Sequence, residues 1–187
     1  YKRAINKASQ MKMTIREATL DDIPVIQSIA NIAFPATYKD IITPEQIDYM
    51  MDMMYSAASL RKQMTEECHS YLIAEIGGKA VGYVSVQPLC PPYGNEREDG
   101  LDVFELQKIY VLPDSQGQHI GRFLFDSCLQ WIRSRHPEPC RVELHVNRFN
   151  KALHFYEHLG MRKLRQGDFP IGNGYFMNDY IMGMDLL

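Results

Sequence analysis

The sequence predicts one domain of the α/β class, α+β in its element order, built on a mixed and mostly antiparallel sheet. Three observations carry this. Two β-rich runs, YLIAEI and AVGYVSV, are separated by Gly77-Gly78, a pair that supplies the positive φ angles of a tight hairpin. Apolar residues recur at helical spacing before that hairpin, at Ile23, Ile26, Ala30 and Ala33, and again after it, at Ile120, Leu124, Cys128 and Trp131. In the second half, strand-like and helix-like segments alternate in the manner of β-α-β crossovers.

Met11 to Glu17 reads as the first strand, and residues 1–12 as an N-terminal extension ahead of a single domain over 13–187. Thr19 and Asp22 form a capping signal for a first helix. Thr43, Pro44 and Gln46 repeat it for a second, whose Ile47, Met50, Met51 and Met54 form one stripe. Ser56 caps a third helix through Leu60 and Met64. After the Gly77-Gly78 hairpin, residues 88–102 (PLCPPYGNEREDGLD) read as a loop rich in Pro, Gly and acid, and Val103 to Leu112 as a central strand. A helix follows to about Arg135, closed by Pro137 and Pro139. Arg141 to Val146 is the next strand, and Asn150 to Leu159 a helix ended by Gly160. A short strand near Met161 to Arg165, a loop holding Gly172-Asn173-Gly174 and a strand from Tyr175 complete the order.

Composition excludes several function classes. At 187 residues, 45% hydrophobic and 23% charged, the chain has the make-up of a globular domain that folds alone or as a simple oligomer such as a homodimer. A net charge of -3 gives no basic surplus to draw nucleic acid or an anionic membrane. No apolar run approaches the roughly 20 residues of a bilayer span, and residues 1–10 lack the apolar centre of a signal peptide, so a cytoplasmic location is expected. Cys68, Cys90, Cys128 and Cys140 form no CxxC pair, and the six histidines no HExxH; the cysteines read as buried thiols, and no metal is expected.

The most informative segment is LQKIYVLPDSQGQHIGRFLF, where a buried-type strand runs through Gln116-Gly117-Gln118-His119-Ile120-Gly121 into a helix. Strand, glycine-bearing turn and helix in that order aim unpaired backbone N–H groups and a positive helix end at one point, a seat for a pyrophosphate. Glycine there keeps side chains from holding phosphates off the amides. The segment lacks the Lys-Ser or Lys-Thr of a P-loop and the GxGxxG of a Rossmann site.

Gln116 to Gly121 is similar to the Q/R-x-x-G-x-G/A signature of the GCN5-related N-acetyltransferases, and VELHVNRFNKALHFYEHLGM to that family's second conserved block. The chain resembles the family over about Met13 to Leu187. Within it, FPATYKD, the helical segment at 44–67 and NGYFMNDYIM look most like the polyamine (spermidine or spermine) branch. The resemblance departs from the pattern at His119, which stands where the family has glycine, and at Asn150, one residue nearer to Ala152 than in the usual spacing, where capping of the helix is an alternative role.

The resemblance implies a sheet splayed between its central strands, with helices on both faces, acetyl-CoA as cosubstrate, and acetyl transfer to an amine by direct attack in a ternary complex. The acceptor it implies is a small amine; a protein or peptide amine, or a non-catalytic acyl-CoA-binding role, are the alternatives. It places the thioester arm beside Ile109, Tyr110 and Val111, the pyrophosphate on Gln116, Gly117, Gln118, His119, Ile120, Gly121 and Arg122, and the pantetheine arm near Asn150. It assigns Tyr156 as the acid that serves the departing thiolate and Glu105 as the general base, with Gln107, on the same strand face as Glu105 and Val111, and His145, on the neighbouring strand, as lesser candidates. Tyr38 and Tyr175 are expected at the acceptor cleft, and Glu96, Glu98, Asp99 and Asp102 give the preceding loop an acidic character suited to a cationic amine.

Overall fold

The Thr19–Asp22 capping box is formed, with Asp22 Oδ2 accepting from the Thr19 backbone N–H at 2.8 Å, and it launches the helical half of the chain. The structure, a computed structural model, describes residues 12–89 and 100–187. In chain order these form β1 (Met13–Glu17), α1 (Ile23–Tyr38), α2 (Pro44–Tyr55), α3 (Ala57–Thr65), β2 (Ser70–Ile76) and β3 (Lys79–Pro88). Then follow β4 (Asp102–Val111), α4 (Ile120–Arg135), β5 (Cys140–Asn147), α5 (Ala152–His158), β6 (Arg162–Gly172) and β7 (Tyr175–Leu186). Thr43 and Ser56 cap α2 and α3, each accepting from the backbone N–H three residues on.

The strands form one seven-stranded sheet in the order β1-β2-β3-β4-β5-β7-β6. Every pairing is antiparallel except β4 with β5. Each face carries its own core, as strand alternation requires. On one, Leu72, Val84, Leu106, Leu144 and Met182 pack against Leu124, Phe125 and Ile132 of α4. On the other, Tyr71, Ile73 and Tyr83 pack against Ile26, Phe34, Tyr55 and Leu60 of α1 to α3. Burial of Leu124 or Ile132 stabilises the fold by about 1.5–3 kcal/mol each.

Two features of β4 shape the middle of the sheet. It pairs with β5 only from Asp102–Cys140 to Glu105–Glu143; past that rung the strands part, and the edge of Leu106–Val111 is left unpaired on that side. A bulge opposite Ser85 and Val86 leaves Gln107 without a partner in β3. The bulge overturns the expectation that Glu105, Gln107 and Val111 share a face: Glu105 lies with Lys108 and Tyr110 on the α1–α3 side, Gln107 is exposed, and Val111 packs toward α4.

Other expectations are adjusted. β6 extends to Gly172, so the expected short strand and glycine loop become an eleven-residue edge strand and a turn at Asn173-Gly174; Pro170 is tolerated because β6 pairs on one side only. Cys68 is exposed, with φ 58°, while Cys128 and Cys140 are buried; Cys90 and the acidic residues Glu96, Glu98 and Asp99 lie outside the described residues. The N-terminal extension 1–12 likewise falls outside them except for Lys12. No helix among the described residues is long and apolar enough to cross a membrane.

Candidate active site

The parting of β4 and β5 opens a cleft of about 1220 Å³. Its walls are Leu106 to Val111 of β4, Leu144 to Val146 of β5, the start of α4, the segment from Phe149 to Leu159, and the end of α1. At its floor the first turn of α4 supplies the donors. Phe123 N–H returns to His119 C=O, the first intrahelical bond of α4, so the backbone N–H groups of Ile120, Gly121 and Arg122 lie ahead of the helix's own bonds. Those amides and the positive helix end form an anion seat open to the cleft.

The turn needs two left-handed residues, Gly117 at φ +79° and His119 at φ 60°. This explains why a glycine belongs at the position of His119: an L side chain there bears backbone strain. A Cβ on Gly117 would meet nothing within 4 Å, so that glycine serves backbone conformation and leaves the space before the helix clear. Gly121 has a different reason. A Cβ there would meet the Phe155 ring at 3.3 Å, so its missing side chain lets α5 close on α4.

Of the residues expected to hold a cofactor, Ile109, Tyr110, Val111, Gln116, Gly117, His119, Ile120, Gly121, Arg122 and Asn150 line the cleft, and Gln118, exposed in the turn, does not. Asn150 has its side-chain oxygen on the Ala152 N–H at 2.9 Å, so that oxygen caps α5. Unpaired strand edge, donor-rich helix start and a cleft joining them fit a long chain with amides at one end and phosphates at the other.

Tyr156, of α5, lines the cleft, and burial pushes its phenol well above the ordinary value, with Tyr38 adding to the rise. Tyr38 is the last residue of α1 rather than a loop residue, and it also lines the cleft. Tyr156 belongs to the core on the α4 face and Tyr38 to the core on the α1–α3 face, so the two residues meet at the cleft from opposite faces of the sheet. Tyr175 is not a cleft residue; its ring packs at 5.4 Å from that of Tyr49 in α2.

Glu105 is held at the last rung of the β4–β5 pairing. Burial pushes its carboxyl up, His145 opposes that, and Glu143 reinforces it. His145 Nε2 lies 3.7 Å from Glu105 Oε1, and its Nδ1 3.6 Å from Asp179 Oδ2. Glu143, across the rung, accepts from Arg165 at 3.2 Å. Sequence reasoning passed over Asp179, although a charge between Met177 and Ile181 on a buried strand face was a legible signal. It also passed over Lys108, whose Nζ donates to Gln63 Oε1 at 2.8 Å and sits over the rings of Tyr55 and Tyr71; burial pushes this amine down to about 7. Neither residue has a motif to announce it.

Tyr49 Oη donates to the Ile171 carbonyl at 2.8 Å and Gln46 Nε2 to the Phe176 carbonyl at 2.9 Å, fastening α2 to the β6–β7 hairpin.

Residues 26–161 match the sequence model of the acetyltransferase (GNAT) family. The chain is 26% identical over 172 residues to the uncharacterized N-acetyltransferase YjgM of Escherichia coli, covering 90% of this chain and 91% of that one. Among solved structures it is similar to a PaiA N-acetyltransferase of Thermoplasma acidophilum in complex with coenzyme A, with a TM-score of 0.72 at 20% identity, covering 94% of this chain and all of that one. It is also similar to a variant of the spermidine N-acetyltransferase SpeG of Vibrio cholerae (TM-score 0.60, 19% identity, 92% of each chain). A further likeness is to Arabidopsis thaliana Naa50 bound to a CoA–peptide bisubstrate analogue (0.58, 16%, 92% of this chain and 97% of that one). At these identities the structural likenesses are of fold.

Proposed function

The chain belongs to the acetyltransferase (GNAT) family and is an N-acetyltransferase that uses acetyl-CoA, and on that premise we propose that its acceptor is a small primary amine of the polyamine class. The observation that carries this reading is the pair of carboxylates behind His145, a residue of the cleft wall. Glu105 and Asp179 lie 3.7 and 3.6 Å from its ring nitrogens, with Glu143 across the last β4–β5 rung, on the α1–α3 side of the splay. Carboxylates so placed draw a cationic amine toward the cleft.

Each step has a residue. The free edge of Ile109, Tyr110 and Val111 would hold the amides of the cosubstrate's arm as an added strand, and the amides from Gly117 to Arg122 its pyrophosphate. The cosubstrate supplies an activated acetyl group on a thioester. A backbone N–H of the free β4 edge stabilises negative charge on the carbonyl oxygen. An alkylammonium with a pKa near 10.4 is protonated at neutral pH, so Glu105, kept proton-receptive by burial, takes a proton from it. Tyr156, with a phenol held neutral, donates to the departing sulfur.

The experiment is thiol release from acetyl-CoA with spermidine, spermine, short diamines and short peptides as competing acceptors, with the products weighed by mass spectrometry. Acetylated polyamine as the dominant product is the expected result. Acetylated peptide in its place overturns the acceptor class and leaves the chemistry standing.

A further inference from the structure

Behind His145 lies a carboxylate with no part in the proton transfers of Glu105 and Tyr156. Asp179, on β7, pairs in register with Asn147 at the end of β5, and its side chain is 8% exposed. Its two oxygens differ: Oδ2 faces His145 Nδ1 at 3.6 Å, and Oδ1 is buried with no hydrogen-bond partner among the described residues. A buried carboxylate oxygen without a donor costs free energy, and such orphans in a folded protein call for a reason. The imidazole beside it supplies one. The His145 ring is fixed on its other side by Phe169, edge to face at 4.9 Å, and its Nε2 points to Glu105 Oε1 at 3.7 Å. Three neighbouring strands thus bring carboxylate, imidazole and carboxylate into one row.

We propose that Asp179 is a positioning residue for acetyl transfer: it holds the proton of neutral His145 on Nδ1, so that Nε2 presents its lone pair to Glu105 and the cleft. The role rests on the acetyl-transfer reading given above. Distances of 3.6 and 3.7 Å are ion-pair contacts, longer than hydrogen bonds, and such catalytic contacts commonly tighten once substrate is bound. With Nδ1–H turned to Asp179, a lone pair on Nε2 faces a lone pair on Glu105, and a proton placed between them relieves both. That is a proton seat at the acceptor side of the cleft.

The bookkeeping closes. A proton leaves the ammonium for the seat, and the nitrogen keeps the electron pair that forms the C–N bond as the C–S bond breaks. A second N–H proton is lost after attack. Of the two, one reaches the sulfur by way of Tyr156, and the other passes from the seat to water. While the seat is filled, the imidazolium lies between Asp179 and Glu105, each of which stabilises its charge.

The test reads the tautomer and the rate together. In wild-type enzyme at about pH 8, where an ordinary imidazole is neutral, a long-range proton–nitrogen correlation spectrum is expected to show His145 with its proton on Nδ1. Asp179→Asn, whose amide can donate to Nδ1, is expected to move that proton to Nε2 and to lower kcat on the order of 10²-fold, with KM for acetyl-CoA changed less than about twofold. Asp179→Glu, which keeps a carboxylate, should recover part of the rate. A wild-type His145 protonated on Nε2 overturns the proposal without any variant having to fold. So does an Asp179→Asn enzyme with wild-type kcat. If instead the wild type releases no thiol with any amine, the acetyl-transfer reading fails and the proposal with it, a result distinguishable from the other two.

Discussion

The Tyr49 hydroxyl spans from α2 to the Ile171 carbonyl at 2.8 Å, joining two elements that lie 122 residues apart in sequence. Tyr49→Phe removes that bond and keeps the ring packed on Tyr175. We expect a loss of about 1 kcal/mol in stability. We also expect a several-fold rise in KM for the amine, with KM for acetyl-CoA unchanged, since β7 carries Asp179 beside His145 whereas neither α2 nor the β6–β7 hairpin borders the proposed cosubstrate seat. Steady-state kinetics with each substrate varied in turn decides it; equal rises in both KM values would show that the hairpin supports the whole cleft.

Tyr156→Phe keeps the buried ring and deletes the donor. Thiol release should slow by about 10²-fold, the scale of general acid catalysis, while coenzyme A affinity measured by calorimetry stays put. An unchanged rate would remove Tyr156 from the chemistry.

His119→Gly tests the anion seat. Glycine relieves a left-handed L residue, a cost of roughly 1–2 kcal/mol partly offset by greater freedom in the unfolded chain. If the turn binds phosphate through backbone amides, coenzyme A should bind as tightly or more tightly; a tenfold weakening by calorimetry would assign the contact to the imidazole.

Gly82 sits mid-strand in β3 because a Cβ there would lie 2.7 Å from the Tyr110 carbonyl oxygen, a backbone atom that cannot step aside. Gly82→Ala should therefore push β4 and cost about 1–3 kcal/mol. Weaker coenzyme A binding should accompany it, because the displaced segment is the free edge of the cleft. Denaturation midpoints and calorimetry on the same preparation test the coupling; a stability loss with intact binding would break it.

Lys108 gives the fold a pH dependence whose sign follows from burial. Its amine is pushed down from 10.5 to about 7, so between those values the unfolded chain binds a proton that the folded chain does not. Stability therefore climbs as pH rises through that window, and below it the cost of the buried charge is felt in full. Lys108→Met should flatten the difference between urea midpoints at about pH 7 and about pH 9, and add about 1–4 kcal/mol at the lower pH. Gln63 Oε1 keeps the Tyr71 hydroxyl as donor in that variant. An equal climb in wild type and variant would place its source elsewhere.

Much of the fold was readable because the strongest signals are local. Caps at Thr19, Thr43 and Ser56, the Gly77-Gly78 turn and the Gly160 terminator each depend on a few neighbouring residues, and each is in place. The turn before α4 was readable for the same reason. What escaped is non-local. The Gln107 bulge, which reverses the faces of Glu105 and Val111, is a matter of register against β3 and leaves no trace in the alternation of β4 itself. The row of Glu105, His145 and Asp179 needs three strands laid side by side, and strand order is invisible in a one-dimensional pattern. The packing of Tyr175 on Tyr49 is of the same kind, because its partner belongs to a distant helix.

The end of the β4–β5 pairing carries a meaning of its own. Its final rung sets Glu105 against Glu143, two acids facing each other where a zipper would otherwise keep closing. Like charges set opposite one another oppose further pairing, so the aperture is guarded by repulsion as well as by shape. Neutralising Glu143 would lift that repulsion but also strand the Arg165 guanidinium that leans on it at 3.2 Å, so in this fold sturdiness and an open aperture meet at a single step of one ladder.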